Sequence, residues 1–189
     1  MRAMVTIAHP WPGSFNFAVL GRVVEALEAG GLEADVLDLY RDDFNPVLSE
    51  AELAGYAQGK ILDPKVLAYQ ERIRRAEHLV YIFPIWWEGM PALLKGFFDK
   101  VFTPGFAFTE DDFSPLLTHI KSGTAITTMG APEAKYTDIE KSFLQGTLGV
   151  CGVQRTAWLN FVDIPNSTHA QRTAWLDEVA AHVRGLGSA

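Results

Sequence analysis

A chain of 189 residues that is 48% hydrophobic and 21% charged has ordinary globular composition, so a full core is expected and disorder is not. Its net charge of -7, with 16 scattered Lys and Arg, excludes the basic stripe of a nucleic-acid binder, and no apolar run approaches the roughly 20 residues that span a bilayer. Cys151 is the lone cysteine, so no internal disulfide can form, and a cytoplasmic, reducing location fits best. The opening "MRAMVTIAHP" is too short for a signal peptide's apolar stretch and leads into a strand.

In chain order, Met4 to Ala8 is a β-branched run that ends in the turn-rich "HPWPG". Phe17, Leu20, Val24 and Leu27 then recur at helical spacing, with Ser14 or Asn16 as N-cap and Gly30-Gly31 as the stop. Glu33 to Leu39 is a second strand. The stretch "YRDDFNPVLSEAELAGYAQGKILDP" reads as irregular and precedes a helix, "KVLAYQERIRRA". Leu79 to Phe83 is a third strand, and Pro91 to Phe102 is an amphipathic helix whose proline suits the first turn. Gly123 to Gly130 is a fourth strand, "DIEKSFLQGTLGVCG" the helix behind it, and Arg155 to Phe161 a fifth strand. A last helix begins near Ser167 or Thr168.

Strand and helix alternate five times, and strands one, three and four are nearly all apolar. This describes a single α/β domain over 1–189, a three-layer sandwich with a parallel sheet buried on both faces by helices. Five strands with right-handed crossovers suggest the flavodoxin-like order 2-1-3-4-5. Ligands of such sheets bind beyond the strands' carboxyl ends where the order reverses, here between strands one and three. Three loops meet there.

In "HPWPGSFN", Ser14 and Asn16 at a helix start either cap the helix or bind an anion at its N-terminus. In "PIWWEGMP", Trp86 and Trp87 either plug the core or wall a slot for a planar heteroaromatic ligand, and Gly89 would let the backbone approach it closely. In "TTMGAPEAKY", Thr127 and Thr128 end a strand and offer hydroxyl donors. Together the loops suggest flavin. There is no GxGxxG or GxxxxGK[ST] fingerprint, no HxH or HExxH metal spacing and no GxSxG elbow. A phosphorelay receiver would carry acidic residues where this chain has "AHPW" and "FPIW".

The segments "HPWPGSFNFA", "LDLYRDDFNPVLS", "FPIWWEGMPALLKGFFDKVFTPGFAF" and "TTMGAPEAKY" resemble the NAD(P)H:quinone oxidoreductases of flavodoxin-like fold, the DT-diaphorase group. The resemblance runs from Met4 to about Tyr136. It implies that His9, Ser14, Phe15 and Asn16 hold a flavin's phosphate and ribityl chain. It also implies that Pro84, Ile85, Trp86 and Trp87 line the isoalloxazine ring, while Thr127, Thr128 and Gly130 approach its pyrimidine edge. Tyr136 resembles the family's active-site tyrosine. Trp86, with Phe106 and Phe108 of the following loop, would sandwich the acceptor. Two departures stand out: the family's double glycine is Met129-Gly130 here, and the histidine some members carry has no counterpart in "TDIEKSFLQG".

The activity so implied is a two-step exchange in which NADPH or NADH passes a hydride to flavin N5 and a quinone or similar flat acceptor then takes it. The flavin is FMN, with FAD as the alternative, and the family is typically a homodimer. The rival role is a flavin-binding redox-sensing subunit of a partner such as a potassium efflux system. The cluster Arg72, Arg74 and Arg75 reads either as a site for a nicotinamide 2′-phosphate or as a solvated helix face.

Overall fold

The structure, a computed structural model, describes residues 1–135 and 137–188. Among these, strands β1 (Arg2–Ile7), β2 (Glu33–Asp38), β3 (His78–Pro84), β4 (Ser122–Thr128) and β5 (Thr156–Phe161) form one parallel sheet. Its order is β2-β1-β3-β4-β5, the expected flavodoxin-like arrangement, and strand limits differ from the sequence reading by one or two residues. β3 and β4 are buried along their whole length because both faces are covered, which is why they read as unbroken apolar runs.

Helices α1 (Phe15–Ala29) and α5 (His169–Arg184) cover one face, where Val19, Val23, Val179 and Val183 pack on Val5, Val80 and Ile126. The other face carries α3 (Pro64–Arg75), α4 (Ala92–Val101) and a helical turn region at 140–149, packed through Ile73, Phe97 and Phe143. Among the described residues no helix is long and apolar enough to cross a membrane.

Two elements depart from the sequence reading. The helix expected over "DIEKSFLQGTLGVCG" is a π-helix, Glu140–Gly149, in which Val150 N–H reaches back five residues to Gln145 O at 3.2 Å. Glycines permit the wider coil: a Cβ on Gly146 would lie 3.0 Å from Lys141 O, and one on Gly149 3.3 Å from Leu144 O.

The stretch expected to be irregular contains α2 (Glu50–Ala54), opened by a capping box in which Ser49 and Glu52 satisfy each other's backbone N–H. This excursion is locked onto α4. Lys100, only 3% exposed, pairs with Glu52 at 2.9 Å and Asp63 at 3.1 Å, and donates to Asn45 O at 3.1 Å. Beside it the Pro46 backbone lies so close to Gly96 that a Cβ there would collide with it.

Candidate functional site

The carboxyl ends of β1, β3 and β4 open into a cavity of about 380 Å³ at the point where strand order reverses. His9, Ser14, Phe15 and Asn16 line it from the β1 side, Pro84, Ile85 and Trp86 from β3, and Thr128, Met129 and Gly130 from β4. Most of the predicted cofactor residues therefore share one hollow.

Its polar end is the N-terminus of α1. Ser14 sits at the N-cap position, yet its side chain caps nothing, and no acidic residue occupies the first turn. Ser14 Oγ and Asn16 Oδ1 are both buried with no hydrogen-bond partner. Each such group costs about 1–3 kcal/mol when left unmade, and both stand at the positive end of a helix dipole. Asn16 Nδ2 donates to Thr128 Oγ1 at 2.8 Å, which turns Oδ1 away from that hydroxyl. Neither side chain caps the helix in this structure.

Two further groups complete this end. His9 Nδ1 lies 3.1 Å from Trp11 N and 3.2 Å from Trp11 O, and desolvation lowers the pKa of the imidazole against the opposing contact with Trp11 O. Arg172, from α5, also lines the cavity. Its Nε donates to Ser167 Oγ at 2.8 Å and its Nη2 to Ile164 O at 3.1 Å, and among the described residues it makes no ion pair. A guanidinium without an ion pair, unsatisfied oxygen atoms and helix N–H groups together suit a phosphate with an attached polyol. The loop reading missed Arg172, Ile164 and Pro165, because it considered only the loops after strands one, three and four, and it passed over Trp11 within the first of them. Ile164 and Pro165 come from the loop after β5, which leaves the same edge, and Arg172 from α5, which follows it.

The aromatic wall is narrower than expected. Trp86 lines the cavity, with its ring centroid 6.1 Å from that of His9. Trp87 is fully exposed and lines nothing. The two are split by a tight turn in which Trp86 and Gly89 exchange backbone hydrogen bonds of 2.9 and 3.1 Å around Trp87 and Glu88. A Cβ on Gly89 would have no protein atom nearer than 4.0 Å.

Thr127 is likewise placed elsewhere. Its hydroxyl accepts from Trp158 Nε1 and donates to Asn160 Oδ1, both at 2.8 Å, and it lies outside the cavity. Consecutive strand residues face opposite sides of a sheet, so Thr127 and Thr128 cannot both face the cavity.

Phe106 turns inward to pack on Phe102, with the Arg74 guanidinium 5.0 Å above its ring, and does not form an acceptor wall. Phe108 stacks on Phe113 at 5.1 Å and lines a separate apolar groove of about 740 Å³ with Met90, Phe98, Phe143 and Val150. That groove is larger but, among the described residues, has no cluster of unsatisfied polar atoms like that at α1. Arg72 is engaged by Asp35, at 2.7 and 3.1 Å, and Arg75 by Glu71 at 2.9 Å, so the basic cluster is not a free phosphate site. Tyr136 lies outside the described residues.

Residues 1–183 match the model of a family described by its flavodoxin-like fold. The chain is 36% identical over 125 residues to NAD(P)H dehydrogenase (quinone) 1 of Cavia porcellus, a match that takes in 57% of this chain and 45% of that protein. The chain thus spans about half the length of the first curated relatives it matches. It is 30% identical over 188 residues to an uncharacterized NAD(P)H oxidoreductase of Haemophilus influenzae, covering 95% of this chain and 93% of that one. The solved structure of an NAD(P)H:quinone oxidoreductase from Methanothermobacter marburgensis superposes with a TM-score of 0.86 at 30% identity, covering 98% of this chain and 96% of that one.

Proposed function

The chain belongs to the flavodoxin-like family that its residues 1–183 match, and from that membership we propose that it is a flavin-dependent NAD(P)H oxidoreductase acting on quinones or similar flat acceptors. The observation that carries the proposal is the pair of buried, unpartnered oxygen atoms, Ser14 Oγ and Asn16 Oδ1, beside the unpaired Arg172 at the N-terminus of α1. A flavin's phosphate and ribityl hydroxyls fit that donor and acceptor set. FMN is the favoured form, because one helix N-terminus and one guanidinium without an ion pair match a single terminal phosphate, and FAD is the alternative.

In this reading the α1 N–H groups and Arg172 would neutralise the phosphate, with His9 beside it. Asn16 Oδ1 accepts from a ribityl hydroxyl. Pro84, Ile85 and Trp86 hold the ring system, while Thr128 and Gly130 flank its polar edge and Met129 excludes water. The bound flavin would supply the chemistry itself, taking a hydride from NADPH or NADH and returning it to the acceptor. What the protein adds is orientation, which removes the entropic part of the barrier, so acid–base residues can be few.

The apolar groove beyond the Trp86–Gly89 turn, with exposed Leu53, Phe113 and Val150, supports a homodimer in which a second copy covers it. The test is a visible absorption spectrum of purified protein, before and after anaerobic NADPH and again after a benzoquinone. Flavin bands that bleach and return support the reductase, and cofactor released by heat separates FMN from FAD. Bands that nicotinamide leaves unchanged favour a redox-sensing subunit, and protein that cannot be loaded with flavin refutes the proposal.

A further inference from the structure

Two-residue turns with φ above zero at both central positions favour glycine, asparagine or aspartate, because other residues meet a steric penalty there. In the Trp86–Gly89 turn these positions are Trp87, at φ +50°, and Glu88, at φ +60°, and both are exposed. Left-handed residues of this kind persist where surrounding contacts over-determine them, and they gather at ligand clamps.

The contacts here are few and specific. Ile85 N–H donates to Thr128 O at 2.8 Å, which fixes the start of the turn to the end of β4. Trp86 forms the cavity wall next to His9. The Glu88 carboxylate accepts a hydrogen bond from the Thr137 hydroxyl.

Thr137 belongs to the segment that leaves β4 at the cavity through Met129 and Gly130 and then crosses exposed Ala131, Pro132 and Glu133. Asp163 N–H donates to Ala131 O at 2.8 Å and so anchors the near end of that segment to the loop after β5. Glu88 holds the far end. The turn also divides the two hollows, with Trp86 facing the cavity and Glu88, Gly89 and Met90 facing the apolar groove.

We propose that Glu88 is a positioning residue: from its left-handed turn it tethers the segment after β4 through Thr137, and this tether sets how a planar acceptor reaches the cavity. The inference rests on the reductase reading. Glu88 touches neither hydride donor nor acceptor in this scheme; it acts through the segment it holds. In this left-handed turn the carboxylate reaches Thr137 while Trp86 stays in the wall.

The variants are E88A, T137V, the double E88A/T137V, the conservative E88Q, and E88G, which removes the tether and relieves the turn. Loss of one charge-assisted hydrogen bond, discounted for exposure, is expected to raise the benzoquinone KM about five-fold. The kcat and flavin affinity should hold within about two-fold, since neither the α1 end nor the ring wall has changed. The double variant should match either single, because both remove the same bond. E88Q, which keeps an acceptor oxygen, should restore the wild-type KM. E88G should resemble E88A in KM while being no less stable than wild type, which separates a lost tether from a damaged fold.

Amide exchange over residues 130–135 and 137–138, in protein as purified, should quicken in E88A and T137V and not in E88Q. An unchanged KM and exchange rate in E88A, an additive double variant, or an E88Q as defective as E88A would each overturn the proposal. Should the wild-type chain take up no flavin, the reductase reading falls, and the exchange rates alone decide the tether.

Discussion

Replacing Lys100 by methionine tests what holds the excursion between β2 and α3 against the sheet. Lys100 is 3% exposed and joins three separate stretches, through Glu52 at 2.9 Å, Asp63 at 3.1 Å and Asn45 O at 3.1 Å, with the Phe44 ring 5.4 Å away. Methionine keeps the length and most of the volume of the stem, so a cavity is not the main loss. The loss is electrostatic: Glu52 and Asp63 remain 15% and 21% exposed, facing each other with no cation between them.

Breaking a buried pair from one side costs about 3–5 kcal/mol, and the partial exposure of the carboxylates puts K100M near the lower end, about 3 kcal/mol. At about 2–4 °C per kcal/mol for a domain of this size, the melting midpoint should fall by about 6–12 °C. Urea denaturation at pH 7 with an unchanged slope measures it. Because Glu52 then lacks its partner, K100M/E52Q should lose less than the sum of the two single variants. A K100M loss below about 1 kcal/mol would show that the excursion swings out to hydrate its carboxylates, and would refute the clamp.

At the candidate site, R172A should weaken FMN binding about 10- to 100-fold, the size of a charge-assisted contact, and leave riboflavin affinity unchanged, as equilibrium dialysis with both ligands would show. W87G should leave stability equal or raise it by up to about 1 kcal/mol, since relief of about 1–2 kcal/mol of left-handed strain exceeds the chain-entropy cost of glycine, and the exposed indole loses no packing. Thermal melts check it, and a marked loss would mean that the indole has a partner in solution.

Acid should destabilise the fold through His78 and His182, whose pKa values are lowered by burial. A group that binds its proton more weakly when folded contributes stability that is complete above its unfolded value of 6.5 and is lost as pH falls below it. Urea midpoints from pH 8 to pH 5 should therefore decline, and H182Q should flatten the decline.

What the chain determined by itself is the order of elements and the edge of the sheet at which ligands gather. The apolar runs Leu79 to Phe83 and Thr124 to Ile126 have the signature of strands covered on both faces, and Gly30-Gly31 ends α1 where the pattern said it would. α2 was read as irregular, although Ser49 and Glu52 in "SEAE" carry the capping-box pattern that opens it.

What waited for the tertiary structure shares one physical cause: it depends on neighbours remote in sequence. Whether Thr127 or Thr128 faces the cavity is a matter of strand register, because a shift of one residue exchanges the faces. Trp86 and Trp87 carry the same side chain, and only the turn closed by Gly89 puts one in the wall and the other in solvent. Lys100 reads as a surface lysine until Glu52 and Asp63 arrive from stretches 48 and 37 residues away to make its burial tolerable. Arg172 is separated from Ser14 by most of the chain, and it reaches the same cavity because α5 packs beside α1 on one face of the sheet.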